Sequence, residues 1–154
     1  HRVDRRQRQM CIRDRCDYAD EVLSIDALEG LLPLTDFLVM VLPDSESTRD
    51  IVDANFLKKM NSSSMLINVG RGSAIVEDDL ADALNNGIIA AAALDTTKNE
   101  PLEKESKLWG AKNCFITPHD SAHSLMSLPR SFNLFLENVS NLRDSQPIKN
   151  LWEA

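Results

Sequence analysis

Four mainly apolar runs punctuate the chain: "FLVMVL" (37–42), "SMLINV" (64–69), "IIAAAALD" (88–95) and "CFIT" (114–117). None alternates with polar residues, and the first three read as strands buried on both faces. The alanines of the third run favour a helix, but Gly87 just before it and its short length predict a tightly packed strand. Helical patterns fill the gaps. "SIDALEGLL" predicts a short helix capped by Ser24 or Asp26. "DSESTRDIVDANFLKKM" predicts a polar loop with helical segments that turn Leu57 and Met60 inward. "VEDDLADALNNG" predicts a helix with acids in its first turn and Gly87 at its end. After "PHDSAHS" a long amphipathic helix is expected to run to about Arg143, starting late or kinking because of Pro129. No internal repeat or low-complexity segment is present.

Apolar strands alternating with helices define an α/β fold, a parallel sheet with right-handed crossovers. In such sheets ligands bind beyond the carboxyl ends of the strands. Pro43 follows the first run, Gly70-Arg71-Gly72 the second, Asp95 the third and Thr117-Pro118-His119 the fourth; Glu100 lies five residues past Asp95. Taken singly, each is ordinary: an arginine in a glycine turn is usually solvated, and a histidine after proline can simply finish a turn. Together, Arg71, Glu100 and His119 on one edge form a chemical set. Arginine clamps a carboxylate with two parallel donors. Histidine moves a proton near neutral pH, and a neighbouring carboxylate sets its tautomer and favours its charged form.

Composition narrows the function classes. At 154 residues the chain is about one domain, and its net charge of −7 argues against a nucleic-acid surface. No apolar run approaches the roughly 20 residues of a membrane span, and no secretory signal opens the chain. Cys11, Cys16 and Cys114 show no metal-type spacing, so no metal site is expected, and reduced thiols suit a cytoplasmic protein. The charge is uneven: the first 15 residues hold six of the ten arginines and two acids. That leaves eleven basic against twenty-two acidic residues in the remainder. A basic arm for nucleic acid or membrane would carry lysine, aromatics or an apolar stripe, and the head has none of these. It reads as an extraneous segment outside the domain.

The blocks "LINVGRGSAIVEDDLADALNNGIIAAAALDTTKNEP" and "ITPH" resemble the NAD(P)-dependent D-2-hydroxyacid dehydrogenases, among them the glyoxylate/hydroxypyruvate reductases. The resemblance runs from about Tyr18 to the end of the chain. It implies a partial Rossmann-type domain and an oxidoreductase that passes a hydride between nicotinamide, as NAD or NADP, and a small 2-keto or 2-hydroxy acid. On the matching positions it makes Arg71 the binder of the substrate carboxylate and carbonyl. His119 becomes the general acid/base, and Glu100 its partner. Asp95 would hold the nicotinamide carboxamide, while Pro43, Val69, Gly70, Arg71 and His119 line the cofactor site. Gly70 and Gly72 would let the backbone approach the cofactor. A homodimeric parent is implied.

The departures shape the expectation. The glycine-rich phosphate fingerprint and its ribose selector, due upstream of residue 16, are missing, as is the first βαβ unit. The chain therefore reads as a C-terminal fragment, inactive alone: a basic head (1–15), a partial NAD(P)-binding domain (16–124), and a helix and tail (125–154). The tail "PIKNLWEA" would return toward an absent substrate domain and leave apolar groups exposed. Thr96-Thr97 stands where the family carries an apolar or aromatic pair, and Asp120 where an apolar residue is common. Two other readings remain open: a nucleotide-responsive scaffold, since the family includes corepressors resembling the enzymes, and an inert truncated piece.

Overall fold

A computed structural model describes residues 20–150. The basic head, Cys11, Cys16 and the last four residues of the tail lie outside the described residues. Four parallel strands form one sheet in the order β1-β2-β3-β4: β1 Phe37–Met40, β2 Met65–Asn68, β3 Ala91–Leu94 and β4 Cys114–Ile116. The register aligns Val39, Ile67, Ala93 and Phe115 across all four strands. The helices are α1 Leu28–Leu31, α2 Ala54–Lys59, α3 Glu77–Asn85 and α4 Ser127–Arg143. The parallel α/β expectation holds.

The runs are shorter as strands than their apolar spans suggest. In the third, Ile88, Ile89 and Ala90 form a bend after Gly87, whose φ is +69°. The bend is held by bonds from the Ile88 amide to the Ala83 carbonyl (2.9 Å) and from the Ala90 amide to the Ser64 carbonyl (2.9 Å). Pairing begins only at Ala91.

The first run also corrects the expectation of strands covered on both faces. Neighbours in chain order are neighbours in the sheet, so crossovers of one hand set every connecting helix on the same side. The even-numbered residues face those helices. Met40, Leu66, Ala92 and Leu94 pack with Leu57, Leu80, Ala81, Leu84 and Leu108 into one core. On the opposite face Phe37 is 68% exposed, Val39 54% and Phe115 62%.

The helix predicted over 24–32 forms as a short α-turn flanked by two 3-10 turns, and Ser24 makes no side-chain capping bond. Asp53 does cap, accepting from the Phe56 amide at 2.8 Å, and the helix it opens buries Leu57 and Met60 as expected. Helix α3 carries Glu77, Asp78 and Asp79 in its first turn, where the helix dipole favours negative charge. Pro129 lies in the first turn of α4, which removes the need for a kink, because no intrahelical N–H is required there. None of the residues of α4 is buried among the described residues.

Thr96 continues the core-facing parity of Ala92 and Leu94, and it is only 2% exposed. Its hydroxyl has no hydrogen-bond partner among the described residues. An unpaired buried hydroxyl costs about 1–3 kcal/mol, whereas the isosteric valine has nothing to satisfy. Thr96→Val should therefore raise unfolding stability by about 1 kcal/mol or more, read as a shifted midpoint in urea at unchanged slope. A loss of stability would mean the hydroxyl is bonded after all.

Candidate active site

The loops leaving all four strands meet at the carboxyl edge. The turn after β2 is built first by Asn68, a fully buried residue inside an otherwise apolar strand. Its side-chain amide donates to the Arg71 carbonyl (3.0 Å), and its oxygen accepts from the Gly70 amide (3.0 Å). One side chain thus holds both sides of the turn. Asn68 was missed by sequence reasoning, although a lone amide in the run "SMLINV" was the signal: a buried polar group needs partners, and here it finds them in the turn.

The chain's own backbone already requires glycine at both positions. A Cβ on Gly70 would lie 2.7 Å from the Leu42 nitrogen, and one on Gly72 would lie 2.0 Å from the Thr97 carbonyl carbon. Both positions are closed to any side chain by neighbouring main chain. Between them Arg71 is exposed, and its Nη1 donates to the Gly70 carbonyl at 2.8 Å. Among the described residues no carboxylate lies within 4.0 Å of the guanidinium as an ion pair, and the Gly70 carbonyl is the one hydrogen-bond partner of its five donors.

His119 and Glu100 meet directly: Nδ1 to Oε2 is 2.8 Å. A carboxylate can only accept, so Nδ1 carries the proton in this pair and Nε2 is the ring atom left for chemistry. The other oxygen of Glu100 accepts from the Thr97 amide at 3.2 Å. The hydrogen bond from His119 is the main reason the Glu100 carboxyl sits below its ordinary range, with Thr97 helping against a desolvation penalty and the charges of His119 and Arg71 adding smaller shares. With its pKa depressed, the pair contributes above the ordinary glutamate value and is lost as pH falls through the lowered one.

Asp95 acts on the same histidine from behind. It is 5% exposed. Its Oδ1 accepts from the Thr117 hydroxyl (2.6 Å) and the Asp120 amide (3.1 Å), and Oδ2 from the Ser121 amide (3.1 Å). The loop it grips holds His119 at φ 57°, a left-handed conformation that costs a non-glycine residue roughly 1–2 kcal/mol. Donors from Ser121 and Thr117 drive the Asp95 carboxyl far below the ordinary range.

Of the remaining expected positions, Pro43 is exposed at the exit of β1, its carbonyl accepting from the Thr48 hydroxyl at 2.7 Å. Val69 is 37% exposed at the exit of β2. The five glycines include no phosphate-binding Gly-x-Gly-x-x-Gly turn. No cluster of three or more metal-ligating side chains occurs among the described residues, and no helix there is long and apolar enough to cross a membrane.

This sheet, with an arginine at one strand mouth and a carboxylate–histidine pair two strands along, defines an α/β nucleotide-binding domain of dehydrogenase type. The chain belongs to the D-isomer specific 2-hydroxyacid dehydrogenase family: its NAD-binding domain matches residues 5–121, a range that begins within the basic head. The chain is 37% identical over 121 residues to a hydroxypyruvate reductase of Blautia hydrogenotrophica, covering 79% of this chain and 38% of that protein. It is 50% identical over 101 residues to an uncharacterized protein in the proB 3′ region of Corynebacterium melassecola, covering 66% of this chain and 33% of that one. Among solved structures, the NADPH-dependent glyoxylate/hydroxypyruvate reductase of Sinorhizobium meliloti, in complex with NADP and sulfate, superposes with a TM-score of 0.77 at 30% identity. That match covers 86% of this chain and 43% of the other. The chain thus spans between a third and a half of the length of these relatives.

The Asp95 clamp carries a pH signature. A depressed carboxyl stabilises the fold fully above the ordinary aspartate value, about 4, and progressively less as pH falls below it. Asparagine keeps one acceptor but loses the charge. The melting temperature of Asp95→Asn should lie below wild type by a constant margin at neutral pH, and the margin should shrink as pH falls below about 4. Thermal unfolding of both proteins from pH 7 to 3 checks it; a margin independent of pH would show that the charge does not hold the loop.

Proposed function

We propose that the chain is the cofactor-binding part of an NAD(P)-dependent reductase acting on small 2-keto acids of the glyoxylate or hydroxypyruvate type. The observation that carries this reading is the 2.8 Å Glu100–His119 bond on the same sheet edge as the exposed Arg71. Family membership and reductase relatives support it. In the reading, Arg71 grips the substrate carboxylate and polarises the keto oxygen. His119 delivers a proton from Nε2 to that oxygen during reduction and removes it during oxidation. Glu100 holds the ring by Nδ1 and so leaves Nε2 for the substrate. Pro43, Val69 and Gly70 line the nicotinamide side, and Asp95 offers its spare acceptor capacity to the carboxamide. The bound nicotinamide, as NAD or NADP, supplies the hydride. A cytoplasmic, homodimeric parent enzyme completes the reading.

Two experiments on the full-length protein test it. Lysine at position 71 keeps the charge but loses the two-pronged geometry. Arg71→Lys should lower kcat/KM for hydroxypyruvate by one to two decades, the equivalent of about 1.5–3 kcal/mol for a charged hydrogen bond. Wild-type kinetics would make Arg71 a bystander.

The second concerns proton transfer. Reduction needs His119 protonated and oxidation needs it neutral. Glu100→Gln retains the shape but removes the carboxylate that fixes Nδ1 as the protonated ring nitrogen. kcat/KM should fall by about one to two decades in reduction and in oxidation alike. Steady-state rates in both directions, on wild type and variant, check this. Wild-type rates in both directions would rule out the Glu–His couple.

A further inference from the structure

The turn that carries Arg71 runs into a single 3-10 turn, Gly72–Ala74, which Asn68 pins on the β2 side only. Part of its support comes from the loop after β1. The Asp50 amide donates to the Ser73 carbonyl (2.8 Å), and the Val52 amide donates to the Ala74 carbonyl (3.0 Å). Beyond these backbone bonds, the Ser73 hydroxyl donates to Asp44 Oδ1 at 2.9 Å. It is the single side-chain-to-side-chain hydrogen bond between the two loops among the described residues. The same oxygen accepts from Arg49 Nη2 at 3.4 Å, a solvent-exposed pair of small energetic weight that nevertheless helps aim the carboxylate.

We propose that Asp44 is a positioning residue for Arg71, its carboxylate tethering the β1 exit loop to the Arg71 turn through the Ser73 hydroxyl. The proposal rests on the reading of Arg71 as the carboxylate anchor. The Ser73 bond, then Arg49, then the more distant charge of Arg71 hold the Asp44 carboxyl below its ordinary range, so the acceptor is ionised at neutral pH. A tethered turn presents the guanidinium already oriented. An untethered one must be ordered by each substrate that binds, which weakens binding without touching proton transfer.

The test is steady-state reduction of hydroxypyruvate by the full-length protein at saturating cofactor. Ser73→Ala and Asp44→Ala should each raise KM by about three- to tenfold while kcat stays within about twofold. If both act through one bond, the double variant should be no worse than the worse single variant. Asp44→Asn, whose oxygen can still accept from Ser73, should recover most of the loss. Should Asp44→Ala fail to fold, Ser73→Ala and Asp44→Asn decide the matter between them. A wild-type KM in Ser73→Ala beside equal shifts in both Asp44 variants would assign the effect to charge and overturn the tether. A defective Arg71→Lys beside a silent Ser73→Ala overturns this proposal alone. A silent Arg71→Lys overturns the anchor reading and the tether with it.

Discussion

Two main-chain segments leaving adjacent strands run so close at Gly72 and Thr97 that a single Cβ on Gly72 would fall within bonding reach of the Thr97 carbonyl carbon, at 2.0 Å. Much of the site hangs on that contact. On one side of it Arg71 immediately precedes Gly72. On the other, the Thr97 amide donates to Glu100, and Glu100 holds His119. A side chain at position 72 would push the β2 and β3 exits apart and move the arginine away from the histidine. Only glycine allows the approach, and the reason is chain against chain.

A second constraint secures the histidine. His119 adopts a conformation that its Cβ disfavours, and three donors converging on Asp95 hold it there. Backbone strain at a reactive residue persists when surrounding bonds over-determine it. Asp95 is buried and bonded through both oxygens, so the loop is gripped from within while the His119 side chain stays 43% exposed. The site is therefore held by loops of consecutive parallel strands, with the helices on one face serving only to set those strands in place.

The strands were legible because apolar runs of that length between helical patterns leave few alternatives, and the edge residues followed from counting to the end of each run. The burial of the sheet was not legible. An unbroken run such as "FLVMVL" has the composition of a strand covered twice, yet Phe37 and Val39 stay open because all crossovers fall on one side. Sequence pattern reports what a strand can tolerate, whereas coverage depends on the order of the strands. The pairing of Glu100 with His119 was expected from residue types and family resemblance. The grip of Asp95 on residues 117–121 was not, since it joins a side chain to amides more than twenty positions away. Asn68 falls between the two: its oddness was visible in the run, but its partners emerge only once the turn is folded.

The electrostatics of the edge follow from how each acid is satisfied. Asp44, Asp95 and Glu100 all lie past the carboxyl ends of the strands, and left unbonded each would draw a cation. Instead each is bonded elsewhere: Asp44 to Ser73 and Arg49, Asp95 to Thr117 and two amides, and Glu100 to His119 and Thr97. Hydrogen bonds of this kind keep a carboxylate ionised while turning its oxygens away from other cations. The charge of Arg71 helps hold the Asp44 and Glu100 carboxyls low, yet its one hydrogen bond among the described residues is to the neighbouring Gly70 carbonyl. Among the described residues, then, the acids of this edge are satisfied by hydroxyls, amides, His119 and Arg49, and the Arg71 guanidinium stays free of a carboxylate partner because each nearby carboxylate is bonded first to something else.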